Sequence, residues 1–294
     1  MKMFAAAIGV ALFAWTVASV GLATLAAQIN QLGVMVPLML ALAAVRFVMQ
    51  AAGWRLAMAA RARPNLLQAV RAVIAGEAAG YLALGPISRE PVKALMVSDR
   101  TPENISLSAA IVERIAYMGA ATGLVTFGLM LVAVRASRAD WIVPGLAVVM
   151  LIAGVWVVVK HRVPRMRSIS YGAMTPAALA CLVSLAILQE IINVIETYAV
   201  LAWLGASPTF ESAVALEGLN RLANAPAQLI PGKLGVLELA GSAFAGILQL
   251  GNANGLTLVL ARRVRSLAWT GVGILLLTTS ASRRRSGRRN PALV

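Results

Sequence analysis

The chain is short of the residues from which most catalytic and metal centres are built. Its 294 residues include one cysteine, one histidine and 11 acidic side chains. The cysteine, Cys181, lies inside an apolar run, so an intramolecular disulfide is excluded and neither redox chemistry nor a thiolate metal site is indicated. His161 sits in a basic loop and reads as a solvated loop residue. No zinc cluster can be assembled from this inventory, and no metal or cofactor is expected. Charged residues make up only 13% of the chain, against about a quarter in soluble domains. A soluble globular fold is thereby excluded.

Apolar residues are what the chain has in excess: 60% are hydrophobic and the mean hydropathy is +0.82. This is the composition of a polytopic membrane protein. The net charge of +15 invites a nucleic-acid reading, but the basic residues cluster in short segments between apolar runs. There they act as topology signals and as contacts for anionic lipid headgroups, and with no binding motif beside them no nucleic-acid partner is expected.

Residues 4–27 form an uncharged run long enough to cross a hydrocarbon core of about 30 Å. A signal peptide is the competing reading; the run exceeds a signal-peptide core and no A-x-A site closes it, so a retained span is expected. Residues 34–60 form a second span with Arg46 inside it and Arg55 near its end, and Arg61 and Arg63 then mark the cytoplasmic side. Residues 66–84 are apolar but carry Arg71 and Glu77, and they run into Gly85-Pro86-Ile87-Ser88-Arg89-Glu90-Pro91-Val92-Lys93. Spans follow at 105–134, with Glu113 and Arg114, and at 141–159; Lys160, Arg162, Arg165 and Arg167 then form the most basic internal loop. For that loop to share a side with Arg61 and Arg63, the segment from Leu66 must enter and return on one side, as a re-entrant hairpin and not a crossing.

Residues 171–204 are longer than a bilayer needs and are expected to tilt or to bend at Pro176. Within them Glu190, Asn193 and Thr197 recur at helical spacing, with Glu196 beside them. The next stretch organises the chain. Glu217, Arg221, Asn224 and Gln228 line one helix face, Pro226 and Pro231 interrupt it, and Pro231-Gly232-Lys233-Leu234-Gly235 leads to Glu238. In hydrocarbon such a break survives only where protein or water satisfies the freed backbone. Residues 236–250 are too short to cross comfortably; 255–279 form the last span, carrying Arg262, Arg263 and Arg265. A single domain over 1–280 is expected, with 281–294 a basic, disordered cytoplasmic tail.

With every basic loop inside, the order is span, span, broken segment, span, repeated once from the opposite face. The fold class expected is therefore an all-α membrane bundle of about six full spans and two re-entrant broken helix pairs, arranged as an inverted repeat. Glu77 precedes Pro86 by the interval that separates Glu217 from Pro226, a faint echo between the halves.

Three features resemble the lysylphosphatidylglycerol synthase transmembrane-region family. These are Glu90-x-x-Lys93 within the 85–93 segment, the Pro-Gly-x-x-Gly-x-x-Glu run over 231–238, and the arginines early in the last span. This flippase-like domain occurs fused to aminoacyl-lipid synthases and also alone in many bacteria, including proteins associated with hopanoid biosynthesis. The resemblance implies a lipid-translocating domain with re-entrant helices in the bacterial cytoplasmic membrane, both termini cytoplasmic. Two departures bear on the substrate: Arg89 stands before Glu90 where glycine is expected, and no soluble aminoacyl-transfer domain is expected after residue 294. A stand-alone member would receive its lipid from elsewhere, so a lipid-synthesis enzyme is a candidate partner.

The candidate substrate-binding residues are Glu77, Arg89, Glu90, Lys93, Glu217, Arg221, Asn224, Lys233, Glu238, Arg262 and Arg265. Glu113, Arg114, Glu190 and Glu196 are candidates for coupling or for structural pairs. Every one of them also has a plain reading: Glu217 with Arg221 as an i, i+4 ion pair, Glu113 and Arg114 paired to other helices, Arg89 to Lys93 as a solvated loop, Glu190 and Glu196 as counterions of the arginines. Arg262 and Arg265 share a face and are expected to meet a lipid phosphate. The tryptophans Trp54, Trp141, Trp156, Trp203 and Trp269 are expected to anchor at the interface or to pack. Three functions follow: a flippase conducting a headgroup along a polar groove, a membrane-embedded enzyme of phospholipid or isoprenoid synthesis relying on glutamate, or a noncatalytic scaffold of such synthesis. No catalytic constellation is recognisable, and the first is preferred.

Overall fold

The computed structural model describes residues 27–28, 30–82, 86–99, 101–135, 175–227 and 235–289. Among these every regular element is a helix: α1 Met35–Leu56, α2 Leu66–Leu82, α3 Pro86–Val97, α4 Glu103–Arg135, α5 Pro176–Trp203, α6 Phe210–Ala227, α7 Val236–Ile247 and α8 Asn252–Arg289. The all-α membrane bundle expected from hydropathy is what forms. Segments Leu32–Leu56, Glu103–Val132 and Pro176–Trp203 are long and apolar enough to cross a membrane. The expected spans at 4–27 and 141–159, the loop from Lys160 to Arg167, Gln228 and Lys233 lie outside the described residues, apart from Ala27.

Segregation along α5 shows how the sequence chooses its faces. Leu179, Val183, Ile187, Ile191, Ile195 and Tyr198 form an exposed apolar stripe, while Leu182, Ala186, Glu190, Asn193, Glu196, Thr197 and Val200 are buried. In hydrocarbon a helix keeps its apolar residues outward and its charges against other helices. Pro176 does not bend α5. It occupies the first turn, where no intrahelical N–H is required, and the Thr175 hydroxyl caps the helix by accepting from Ala178 N at 3.2 Å.

The order α2–α3 is a hairpin. Ser88 Oγ donates to Ala79 O at 3.0 Å, and a Cβ placed on Gly76 would fall 2.7 Å from Lys93 Cγ and 2.9 Å from Arg89 O, so the second arm runs back along the first. Helices α6 and α7 do the same: Leu216 and Ala245 share one apolar cluster, and Gly241 faces Asn220. The arms are 17 and 12 residues in one hairpin and 18 and 12 in the other, so the two match in length as well as in order.

Helices α1 and α5 are antiparallel. The Trp203 indole N–H, at the end of α5, donates to Gln31 O just before α1 at 2.8 Å. At the other end, Gly53 lies against Leu182. The two larger apolar clusters sit at these opposite ends. Leu32, Met39, Leu201, Leu216, Ala245 and Leu258 form one; Ala51, Trp54, Ala69, Val73, Val97 and Ala109 form the other. One hairpin therefore opens at the end where α1 finishes, the other where α5 finishes. Packing is exchanged between halves in the same sense. Helix α4 lies against α6, where a Cβ on Gly218 would be 3.0 Å from Leu124 O. Helix α8 lies against α2, where a Cβ on Gly273 would be 2.7 Å from Ile74 O. The final helix of each half thus closes on the first arm of the other half's hairpin.

The basic segment from 281, expected to be disordered, is helical as far as Arg289, because α8 continues through it.

Candidate functional site

Four helices bring a belt of ion pairs to mid-depth. Arg262 lies ten residues into α8 and Glu190 fourteen into α5, or about 15 to 20 Å from the helix starts at 1.5 Å per residue. Arg262 is the centre. Its Nε donates to Glu196 Oε1 at 3.0 Å, and its Nη2 donates to Glu217 Oε2 and to Thr197 Oγ1, both at 2.7 Å. Arg221, on α6, reaches Glu190 Oε2 at 2.9 Å and Glu217 Oε1 at 3.2 Å, and donates to the Tyr117 hydroxyl on α4. Arg265 pairs with the second oxygen of Glu196. Asn193 Nδ2 donates to Glu190 Oε2 at 3.2 Å. Three carboxylates face three guanidinium groups, and those of Arg221 and Arg262 are used as forks that one ammonium could not replace.

Beside this belt, Glu238 is completely buried at the third position of α7. It accepts from Gly235 N at 2.9 Å, and Gly235, with φ 80°, takes a left-handed turn that glycine adopts without strain. Its other oxygen pairs with Arg263. The sequence points to Arg262 and Arg265 as site residues and leaves Arg263 out; it is Arg263 that pairs with Glu238. One residue along a helix is about 100° of rotation, which turns Arg263 toward α7 while Arg262 faces α5 and α6.

The first half carries a second cluster. Arg89 Nη2 bonds Glu77 Oε2 at 2.6 Å across the α2–α3 hairpin. Lys93, with no exposed surface, lies 2.8 Å from Glu90 Oε2, 3.7 Å from Glu113 Oε2 on α4, and 4.9 Å from the centre of the Trp54 ring on α1. Arg89, Glu90 and Lys93 are therefore not a solvated loop. Pro86 starts a helix there, and its amphipathic turn places the three inward. Gly76 leaves the notch through which the Lys93 stem passes. Trp54 is no interface anchor: it is buried, with its N–H on Ser106 O at 3.1 Å. Trp203, at the end of α5, does sit at a helix end, and Trp269 packs edge-on against Phe47.

Of the expected pairs, Glu217 with Arg221 forms, Glu113 pairs across helices with Lys93, and Glu190 and Glu196 neutralise arginines. Arg114 does not reach another helix's carboxylate among the described residues; its guanidinium lies 5.7 Å from the ring of Tyr117 on its own helix, a ring that Arg221 also approaches at 5.7 Å. Asn224 follows Arg221 on α6. Arg262 and Arg265, expected at a lipid phosphate, are held by protein carboxylates.

Arg46 stands in the sequence as one arginine in a long span. It lies eleven residues into α1, about 15 Å from either end. Its Nε is buried without a hydrogen-bond partner. Ten of the eleven acidic residues are described, Asp140 being the exception. Every one at mid-depth is spoken for by another cation. Among the described residues Arg46 therefore has no counterion. Its distance from both span ends, beyond the reach of snorkelling, was the signal in the sequence.

No curated protein and no solved structure matches the chain. The profile described as Lysylphosphatidylglycerol synthase TM region matches residues 2–273. With nearly the whole chain matched, and with the paired hairpins and buried charges in place, the protein belongs to that family and is a membrane protein with a lipid-related function.

Proposed function

We propose that the protein is a flippase, moving a polar-headed lipid between the leaflets of a bacterial inner membrane, with both termini cytoplasmic and no chemical change to the lipid. The observation that carries this reading is Arg46, which has no counterion among the described residues. An unneutralised charge at mid-membrane costs at least about 2.5 to 3.5 kcal/mol, and a lipid phosphate drawn to that depth would supply the missing anion. The neighbouring ion pairs stand in for the headgroup's lost water, and the tails stay in hydrocarbon beside the exposed apolar stripes. Anionic headgroups at the basic loops and tail, and a synthesis enzyme that supplies the lipid, are the partners this reading implies.

The test uses purified protein in vesicles carrying fluorescent phosphatidylglycerol, with a membrane-impermeant quencher reporting which leaflet holds the label. Arg46→Gln should slow translocation at least about tenfold, the equivalent of one lost charge-assisted contact, and Arg46→Lys should retain part of it. Equal rates in wild type and Arg46→Gln would sink the proposal. Recovery of chemically altered lipid would favour the enzyme reading instead.

A further inference from the structure

Glu113 and Glu90 of the first half are left in a condition that Glu196 and Glu217 of the belt are not. Glu113 is buried, and its Oε2 has no hydrogen-bond donor. Neither oxygen of Glu90 has one, although the Lys93 ammonium is 2.8 Å away. Ser106 Oγ, two turns before Glu113 on α4, is buried and unpartnered as well. One ammonium is shared by two carboxylates and belongs to the nearer. By contrast, both oxygens of Glu217 and of Glu196 are held by arginines.

The charged groups around Glu113 are few. From α3 there are Lys93, Glu90 and, farther off, Arg89, which is committed to Glu77. From its own helix there is Arg114, turned onto Tyr117. Helix α1 offers only the Trp54 ring and the bare backbone at Gly53, and α5 offers Leu182. Among the described residues there is no arginine fork for Glu113 and no cluster of three metal-ligating side chains, so a metal ion is not the fitting occupant. A proton is. It costs no ligand shell, and it removes the charge that burial penalises.

We infer that Glu113 is a proton-loading site and that Lys93 is the ammonium that responds to it. When a proton from water forms an O–H bond on Glu113, the side chain becomes neutral and Lys93 closes onto Glu90 as a single pair. When the proton leaves, Lys93 is drawn between the two. The lysine stem crosses the notch at Gly76, so its displacement is felt where α3 meets α2. Tyr117, one turn beyond Glu113 on α4, holds Arg221 of the belt. The proton site thereby has a physical connection to both the hairpin and the ion pairs. It stands independently of whether the protein moves lipid.

The experiment is infrared difference spectroscopy of the full chain in phosphatidylglycerol vesicles, on passing from alkaline to mildly acidic buffer. Wild type should gain a carboxylic-acid band that Glu113→Gln lacks, that Glu113→Asp retains at a displaced position, and that Glu190→Gln keeps unchanged. In Lys93→Gln, the fallback should Glu113→Gln fail to fold, the band's midpoint should move by roughly tenfold or more in proton concentration. A band that survives Glu113→Gln, that is absent from wild type, or whose midpoint is unmoved in Lys93→Gln would overturn the assignment.

Discussion

The two halves of the molecule solve the same problem with different cations. In the second half, the Arg221 and Arg262 guanidinium groups each engage two or more acceptors, and Glu196 and Glu217 are each shared by two arginines. In the first, a lysine is enclosed by two glutamates and an indole. A guanidinium fixes direction as well as charge; an ammonium is a point charge that can shift between neighbours. The difference separates a rigid region from a responsive one within a scaffold whose halves pack alike.

The largest way to break that comparison is Arg262→Met. It leaves Glu196 to Arg265 alone and Glu217 to Arg221 alone, and loss of one partner of a buried pair costs about 3 to 5 kcal/mol; thermal unfolding in detergent should show a clear fall in Tm. Lys93→Met should cost less, about 1 to 3 kcal/mol, because Glu113 and Glu90 can take up a proton instead of remaining charged. A cost equal to that of Arg262→Met would erase the distinction between the halves. Arg46→Gln should be the smallest, within about 0.5 kcal/mol of wild type, since no protein partner among the described residues is lost; a large loss of stability would mean that Arg46 is structural.

Hydropathy and the placement of arginines carried most of the architecture. The basic loops required the Leu66 segment to return on its own side, and the hairpin through Ser88 and Ala79 does so. Element ends were less legible: the 85–93 segment read as a loop because Pro86 and Pro91 dominate it, yet Pro86 begins a helix that contains Pro91. In the site, residue types were legible and partners were not. Spacing along one helix puts Glu217 beside Arg221, but nothing local says that Arg263, one residue from Arg262, turns to another helix, or that Tyr117 reaches Arg221. Those choices depend on crossing geometry that emerges only when eight helices are assembled.

The exchange of final helices between halves has a consequence for biogenesis. The α2–α3 hairpin leaves the ribosome early, but the surface of α2 that closes on α8 at Gly273 has no native partner until the last helix has been inserted. A chain truncated before α8 would hold Glu196 and Glu238 in the bilayer with no arginine to meet them. Completion of synthesis is therefore itself the step that neutralises the interior, and partial products should be the preferred prey of membrane proteases.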